Sequence, residues 1–413
     1  MSKDINKILL AYSGGLDTSI SISWLKEEYD AEVIAYSANV GQGGDWEAIK
    51  NKALETGAIR VYIDDLEQEF VEDFAFESLK ANALYEGKYP LATALARPLI
   101  AEKMVEIARK EDVDALAHGC TAKGNDQVRF DVAFRTLAPD LEIIAPLREW
   151  DFKTRIEELE YAKANDIPVE VTKDSPYSID ANLWGISVEC GKLEDPWEEP
   201  PTDSYQWTKA PEDTPDQAAE ISITFDEGIP IKVNDKYMSP VELVKKLNSL
   251  GADYGIGRID MVENRLVGIK SREIYEAPAA TILTEAHSQL EALTLDRDTL
   301  HYKQNMANKY AELIYNGLWY SPLKKAMDAF IDSTQTRVNG EVKLKLYKGQ
   351  VIVSGRKSAY SLYQEDLATY GEEDDFDHSA APGFIKLWGL PTQVAAGVER
   401  KNKNTVKLKN AIK

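Results

Sequence analysis

Cysteine and histidine are scarce in this chain: two Cys, Cys120 and Cys190, and four His stand among 413 residues. At most one disulfide can form, and no CxxC or Cys/His cluster of structural-zinc spacing is present. His118, His287, His301 and His378 are scattered without HExxH spacing, so no protein-ligated metal is expected. A GxSxG elbow is also missing, which argues against an acyl-transfer triad. Positive charge is short: 48 Lys plus Arg against 70 Asp plus Glu gives 48 − 70 = −22. Such a surface repels polyanions, and a nucleic-acid partner is not expected. No apolar run approaches the roughly 20 residues of a membrane span. The start, MSKDINKILLAYS, passes into an expected strand without signal-peptide organisation, so a reduced, cytoplasmic setting is expected.

What is there reads as an ordinary globular protein, with 44% hydrophobic and 9% aromatic residues. Its length favours two or three domains, and no internal repeat is visible. Through about residue 172, short apolar runs alternate with amphipathic stretches, the pattern of βα units feeding a mostly parallel, doubly wound sheet. Strands are expected at Lys7–Tyr12, Glu32–Ser37, Arg60–Ile63, Asp114–His118, Glu142–Ala145 and Val169–Thr172. Helices are expected at Asp17–Tyr29, Leu99–Arg109 and Thr154–Asn165. In the second of these Ile100, Met104, Ile107 and Ala108 form a core-facing stripe.

Residues 173–385 read as an α+β domain. The segment Glu194–Glu220 carries five prolines, nine acids and one Lys, which disfavours a regular element. Trp197 and Trp207 suggest that it lies across a surface, partly packed. ISITFDEGIPIKV reads as two strands, and Ser239-Pro240-Val241-Glu242 as a capped helix start. Met306, Tyr310, Leu313 and Ile314 hold a helical stripe, and Ser321-Pro322 opens another helix. Val338-Asn339-Gly340-Glu341 and the strands EVKLKLY and QVIVSGR around Lys348-Gly349 are hairpin signals. Residues 386–413 form a C-terminal arm and tail. Its last stretch, Glu399–Lys413, has six basic residues and one acid, and is expected to be a solvated tail or an arm attracted to an acidic neighbour.

The sharpest local signal is Ala11-Tyr12-Ser13-Gly14-Gly15-Leu16-Asp17-Thr18-Ser19, directly between the first strand and first helix. Two adjacent glycines let several backbone N–H groups approach a ligand. The helix adds its free N–H groups and positive dipole end, and the hydroxyls add donors, so the loop suits a phosphate or pyrophosphate. It is neither a Walker loop nor a GxGxxG fingerprint. A second string, His118-Gly119-Cys120-Thr121-Ala122-Lys123-Gly124-Asn125-Asp126-Gln127-Val128-Arg129-Phe130, ends another strand and should face the same crevice. Thr121, Asn125, Asp126 and Arg129 suit a small zwitterionic or carboxylate ligand. The bland reading of each string is a polar turn without a ligand. His118 and Cys120 are read as packed residues rather than catalysts.

The first string resembles the pyrophosphate loop of the N-type ATP pyrophosphatases. Together with the second, it resembles the argininosuccinate synthase family. So do Tyr89-Pro90-Leu91, Ala96-Arg97-Pro98, Ser178-Ile179-Asp180-Ala181-Asn182-Leu183 with Ser187, Leu193-Glu194-Asp195-Pro196-Trp197, Val262-Glu263-Asn264-Arg265, Ser271-Arg272 and Tyr275, in order along roughly residues 5–400. The resemblance implies an adenine nucleotide alpha hydrolase-like first domain and a synthetase second domain. It implies an ATP-dependent ligase that joins citrulline and aspartate through a citrullyl-AMP intermediate and releases AMP and pyrophosphate. ATP, with Mg²⁺ on its phosphates, would lie against Ala11, Tyr12, Ser13, Gly14, Gly15, Leu16, Asp17, Thr18, Ser19, Ala38 and Gly119. Thr121, Asn125 and Asp126 would hold aspartate. Citrulline would meet Tyr89, Asn125, Arg129, Ser178, Ser187, Glu263 and Tyr275. The family pattern has a citrulline-touching Ser five residues after the Tyr; here Ala94 stands there, preceded by Thr93. Either Thr93 substitutes or a hydrogen bond of about 1 kcal/mol is missing.

No general base is identifiable from the sequence. The resemblance implies a cytoplasmic homotetramer built through the second domain and C-terminal arm. Two other readings keep the nucleotide loop: a pyrophosphatase with a different acceptor, and a non-catalytic ATP-binding regulator. The negative charge counts against a tRNA acceptor, and the start Met1-Ser2-Lys3 offers no glutaminase Cys. A regulator would not need the polar set Ser178, Ser187, Glu263 and Tyr275.

Overall fold

The computed structural model describes residues 5–152, 154–168 and 177–411. The chain divides into two compact units, the first ending at Tyr360 and the second beginning at Ser361. The expected strand Val169–Thr172 lies outside the described residues.

The first unit opens with β1 (Lys7–Ala11), α1 (Leu16–Tyr29), β2 (Glu32–Asn39), α2 (Trp46–Thr56) and β3 (Arg60–Asp65). After a helical stretch over residues 67–80 come α3 (Ala92–Glu111), β4 (Ala115–His118), α4 (Asp126–Leu137), β5 (Glu142–Ile144) and α5 (Arg155–Ala164). All five strands are parallel, in the order β3-β2-β1-β4-β5. In β1, Leu9 faces one core and Ile8 and Leu10 face another, so helices cover both faces of the sheet. That burial is why the strand reads as an unbroken apolar run. Strand order reverses between β1 and β4, and such a switch point opens a crevice at the carboxyl ends of the strands.

One helix is longer than its sequence pattern suggests: α3 starts at Ala92 rather than Leu99 and runs through Pro98. Buried Ala94, Leu95 and Ala96 hold that first stretch in the core, and packing overrides the local penalty of the proline.

Two antiparallel sheets follow. β6 (Ser178–Asn182), β7 (Gly185–Glu189), β11 (Arg258–Asn264) and β12 (Lys270–Glu276) form one, in the order β11-β12-β7-β6. β8 (Ala219–Asp226), β9 (Ile229–Val233), β10 (Lys236–Tyr237), β13 (Gly340–Tyr347) and β14 (Gln350–Lys357) form the other. The helices are α6 (Pro240–Asp253), α7 (Pro278–Thr294), α8 (Arg297–Tyr315) and α9 (Pro322–Gln335). Ser239 caps α6 in a full capping box with Glu242, and Ser321 caps α9, as their sequences dictate.

Two expectations need correction. Asn339-Gly340 is not a hairpin turn: Gly340 begins β13 opposite Phe225, and a Cβ there would lie 2.3 Å from the Lys357 carbonyl. The real hairpin turns at Lys348-Gly349, both with positive φ. In the Glu194–Glu220 excursion Trp207 packs against the buried cluster of Ile186, Val188, Leu193 and Ile274, but Trp197 is 92% exposed. Buried Glu276 anchors this segment instead, accepting from the backbone N–H groups of Gln206, Trp207 and Thr208. The second unit contains α10 (Ala381–Trp388) and α11 (Leu390–Ala411), so the basic stretch is helical through Ala411.

Candidate functional site

The glycine loop sits where β1 ends and α1 begins. Gly14 has φ +80, a left-handed conformation that costs most residues energy, and Gly15 occupies the N-cap without a side-chain cap. The first-turn amides of α1 are therefore not covered by a capping side chain. The hydroxyls hold the loop's shape: Ser13 Oγ lies 3.1 Å from Thr18 Oγ1, and Ser19 Oγ donates to the Gly15 carbonyl at 2.7 Å. Although no Lys stands in the loop itself, Lys52 of α2 reaches over it and donates to the Gly14 carbonyl at 2.8 Å.

Two cavities meet at this point. One, of about 510 Å³, is walled by Ala11, Tyr12, Ser13, Thr18, Ala38 and Gly119, with Val40, Trp46, Ile49, Ile100 and Phe130 on its apolar side. Hydroxyl and backbone donors together with apolar and aromatic surface in one cavity suit a nucleotide. Gly14 and Gly15 form the turn beside it and are not among its lining residues. Leu16 turns into a core cluster with Ile20 and Trp150, Asp17 lies 3.9 Å from Arg155, and Ser19 is fully buried. The side chains of these last three do not form the wall.

The second cavity, of about 380 Å³, contains Tyr89, Thr121, Asn125, Asp126, Arg129, Ser178, Ser187, Glu263 and Tyr275. It shares Ser13, Arg97, Gly119, Cys120, Ile179 and Asp180 with the first. The pleat explains why four strands far apart in sequence contribute to it. Ser187 pairs with Asp180 on one side and Tyr275 on the other, so alternation brings Ser178, Asp180, Ser187, Glu189, Glu273 and Tyr275 to one face. Its eight charged side chains comprise Arg97, Arg129 and Arg265 against Asp126, Asp180, Glu189, Glu263 and Glu273, a formal 3 − 5 = −2. Such a floor favours ligands that carry amino groups.

Burial opposes ionisation of Asp126, but Arg97 and Arg129 outweigh it and hold the carboxyl below its usual range. The Asp126 contacts are 2.8 Å to Arg97 and 2.7 Å to Arg129. Glu263 receives the hydroxyls of Tyr275, at 2.6 Å, and of Tyr315. Burial and the neighbouring Glu273 nevertheless push it up to about 7. Glu189 is also raised by burial and by Glu273, against the pull of Arg265. Arg265 bridges Glu189 and Glu273. The Tyr89 and Tyr275 rings stack at 3.9 Å, and the Tyr89 hydroxyl accepts from the Thr93 N–H at 3.0 Å. Thr93 is in the cavity wall, whereas Ala94 is buried behind it.

His118 is fully buried, stacked on Phe130 and 2.8 Å from Asp131, in keeping with a packed role. Burial pushes the Cys120 thiol up, which leaves it a poor nucleophile. Sequence reasoning gave no role to Arg97, Asp180, Glu189, Arg265, Glu273, Tyr315 or Lys52. Arg97, Asp180 and Arg265 fall within strings it singled out; Lys52 and Tyr315 lie on helices whose pattern signals only packing. Among the described residues there is no group of three or more His, Cys, Asp or Glu placed to hold a metal ion.

Two family models match the chain. Residues 7–168 match the arginosuccinate synthase N-terminal HUP domain, and residues 177–395 match the arginosuccinate synthase C-terminal domain. The chain is 57% identical over 384 residues to the argininosuccinate synthase of Chlorobium luteolum, covering 93% of this chain and 96% of that one. To that of Desulfitobacterium hafniense it is 56% identical over 398 residues, covering 96% and 99%. To that of Caldanaerobacter subterraneus it is 55% identical over 398 residues, covering 96% and 97%.

Proposed function

The chain belongs to the argininosuccinate synthase family, and we propose from that premise how its crevice works. It is an ATP-dependent ligase that condenses L-citrulline and L-aspartate to argininosuccinate, releasing AMP and pyrophosphate. The observation that carries the mechanism is the shared wall of the two cavities, to which Ser13, Gly119, Arg97 and Asp180 all belong.

A urea is a poor electrophile, and activation must precede attack by an amine. In our reading ATP enters as MgATP, its cation carried by the phosphates. The purine lies against the apolar side of the larger cavity, and the β- and γ-phosphates face the Ser13–Thr18 turn. The ureido oxygen of citrulline bonds to the α-phosphorus as the α–β P–O bond breaks. Pyrophosphate leaves toward the α1 N-terminus, where the amides and Lys52 offset its charge. The aspartate amine then bonds to the ureido carbon of citrullyl-AMP, the C–O bond to AMP breaks, and the amine sheds its extra proton.

Aspartate is assigned to Thr121, Asn125 and Asp126. Citrulline is assigned to Tyr89, Asn125, Arg129, Ser178, Ser187, Glu263 and Tyr275, with Thr93 in the place of the family's Ser. These groups act chiefly by positioning. The acidic floor suits the α-amino group of citrulline, and Arg129 suits its carboxylate.

The exposed Phe384, Ile385, Leu387 and Trp388 of α10 support a further proposal, a homotetramer whose second domain and C-terminal arm make the contacts. No helix among the described residues is long and apolar enough to cross a membrane, and we place the enzyme in the cytoplasm.

The deciding experiment is release of pyrophosphate and AMP from MgATP, with citrulline and aspartate supplied singly and together. Sustained release that needs both, with argininosuccinate seen by mass spectrometry, is expected. ATP bound but never cleaved would favour a regulator instead. Sedimentation analysis tests the tetramer.

A further inference from the structure

Tyr315 is the last residue of α8, one position beyond the buried stripe of Tyr310, Leu313 and Ile314. The helix stops there because the next turn has no room. Gly317 has φ +73, and a Cβ on it would stand 2.8 Å from the Arg129 Cα. The helix end is thus pressed onto α4, and Arg129 Nε donates to the Tyr315 carbonyl at 3.0 Å. A guanidinium at a helix C-terminus is held by the negative end of the dipole as well as by this bond.

The side chain is fixed on every side. Its ring stacks on Tyr85 with centroids 3.5 Å apart and planes 6° from parallel, and the Arg129 guanidinium lies over it at 4.9 Å. Its hydroxyl accepts from Asn125 Nδ2 at 2.8 Å and donates to Glu263 Oε1. Asn125 belongs to the loop after β4, and Glu263 to β11 of the antiparallel sheet. One hydroxyl therefore joins the two halves of the crevice.

Resting on the citrulline assignment above, we infer that Tyr315 is a positioning residue. It aligns Asn125, Arg129 and Glu263 on citrulline, and its hydroxyl holds the Glu263 carboxylate in the form that binds. Arg129 also has Asp126 of its own helix at 2.7 Å, whereas the Asn125 side chain is held by Tyr315. The other fixed partner of the Asn125 amide is the Leu266 N–H, at 2.9 Å, again from the opposite half. Removing the hydroxyl frees one side of both Asn125 and Glu263 while leaving the ring and the Arg129 carbonyl contact in place.

The test is Tyr315→Phe in the full-length enzyme, read by steady-state kinetics in each substrate. The KM for citrulline should rise about tenfold, with those for ATP and aspartate within about twofold and kcat within about threefold. Glu263 loses a donor to its charged form, so the acid limb of kcat/KM for citrulline should move up by about 0.5 to 1 pH unit. Tyr315→Phe added to Glu263→Gln should show no such pH shift and add less than about twofold to the citrulline effect on top of the loss of the Asn125 contact. Thermal unfolding of the single variant identifies a purely structural role: a lower midpoint with all three KM values raised together and no pH shift would overturn the inference. So would wild-type citrulline kinetics in a variant that folds normally. If the variant fails to fold, Tyr315→Trp, which keeps a ring and loses the hydroxyl, is judged by the same pH shift. Absence of citrulline-dependent turnover in the wild type would instead overturn the functional reading itself.

Discussion

Arg97 stands 2.8 Å from the Asp126 carboxylate, a pair that belongs to the walls of the acidic cavity and, through Arg97, of the nucleotide cavity. Asp126→Ala is expected to abolish aspartate-dependent turnover. ATP affinity should stay within about twofold, because Arg97 keeps Asp180 at 2.5 Å. Arg129 loses its carboxylate partner in the same variant, so citrulline binding should weaken as well. Calorimetric titration with ATP and with citrulline separates these effects; an ATP defect with normal aspartate kinetics would contradict the assignment.

Gly119 lies on the boundary between the cavities, and a Cβ there would come within 2.7 Å of Thr18 Cγ2. Gly119→Ala must displace Thr18, whose hydroxyl lies 3.1 Å from that of Ser13. The expected result is an ATP KM raised about tenfold or more with little loss of stability, since the crowding falls on the phosphate loop rather than the core. An unchanged ATP KM would mean that the phosphates do not lie there.

Glu263 yields a pH prediction with two signs. Its carboxyl is pushed up to about 7, foremost by burial. The native state therefore holds a proton between about pH 4.5 and 7 that the unfolded chain has released. The stability this provides is complete below the unfolded pKa and is lost as pH rises through 7. Glu263→Gln should accordingly raise stability at pH 8 relative to wild type, by about 1 to 3 kcal/mol, and much less at pH 5. Citrulline binding needs the carboxylate in our reading, so wild-type kcat/KM for citrulline should fall as pH drops below about 7. Denaturant unfolding and citrulline kinetics over that range check both signs.

Thr93 and Ala94 can be told apart by paired substitutions. Thr93 is in the wall of the acidic cavity and Ala94 is buried behind it. Thr93→Val should raise the citrulline KM about fivefold, the worth of one hydrogen bond near 1 kcal/mol. Ala94→Ser should give no tighter binding and should cost stability, because its hydroxyl enters an apolar core. Tighter citrulline binding by Ala94→Ser would show that the missing Ser was never replaced.

The sequence by itself determined the elements whose signals are local. The apolar run of β1, the glycines after it, the capping box of α6 and the alternation of β13 and β14 depend on neighbours in the chain, and they stand where the pattern puts them. The motif strings named most of the cavity walls for the same reason, since most lie at the end of a strand or within one, while Tyr89 precedes α3 and Arg97 lies inside it. Tertiary structure decided what depends on distant partners. Pro98 sits inside a helix because the core holds it there, and Trp197 is exposed because Glu276, rather than the Trp, anchors its segment. Lys52 reaches Gly14 from another helix, and Tyr315 reaches both Asn125 and Glu263. Such contacts arise from packing and hydrogen bonding between elements remote in the chain, and no spacing rule within one element encodes them.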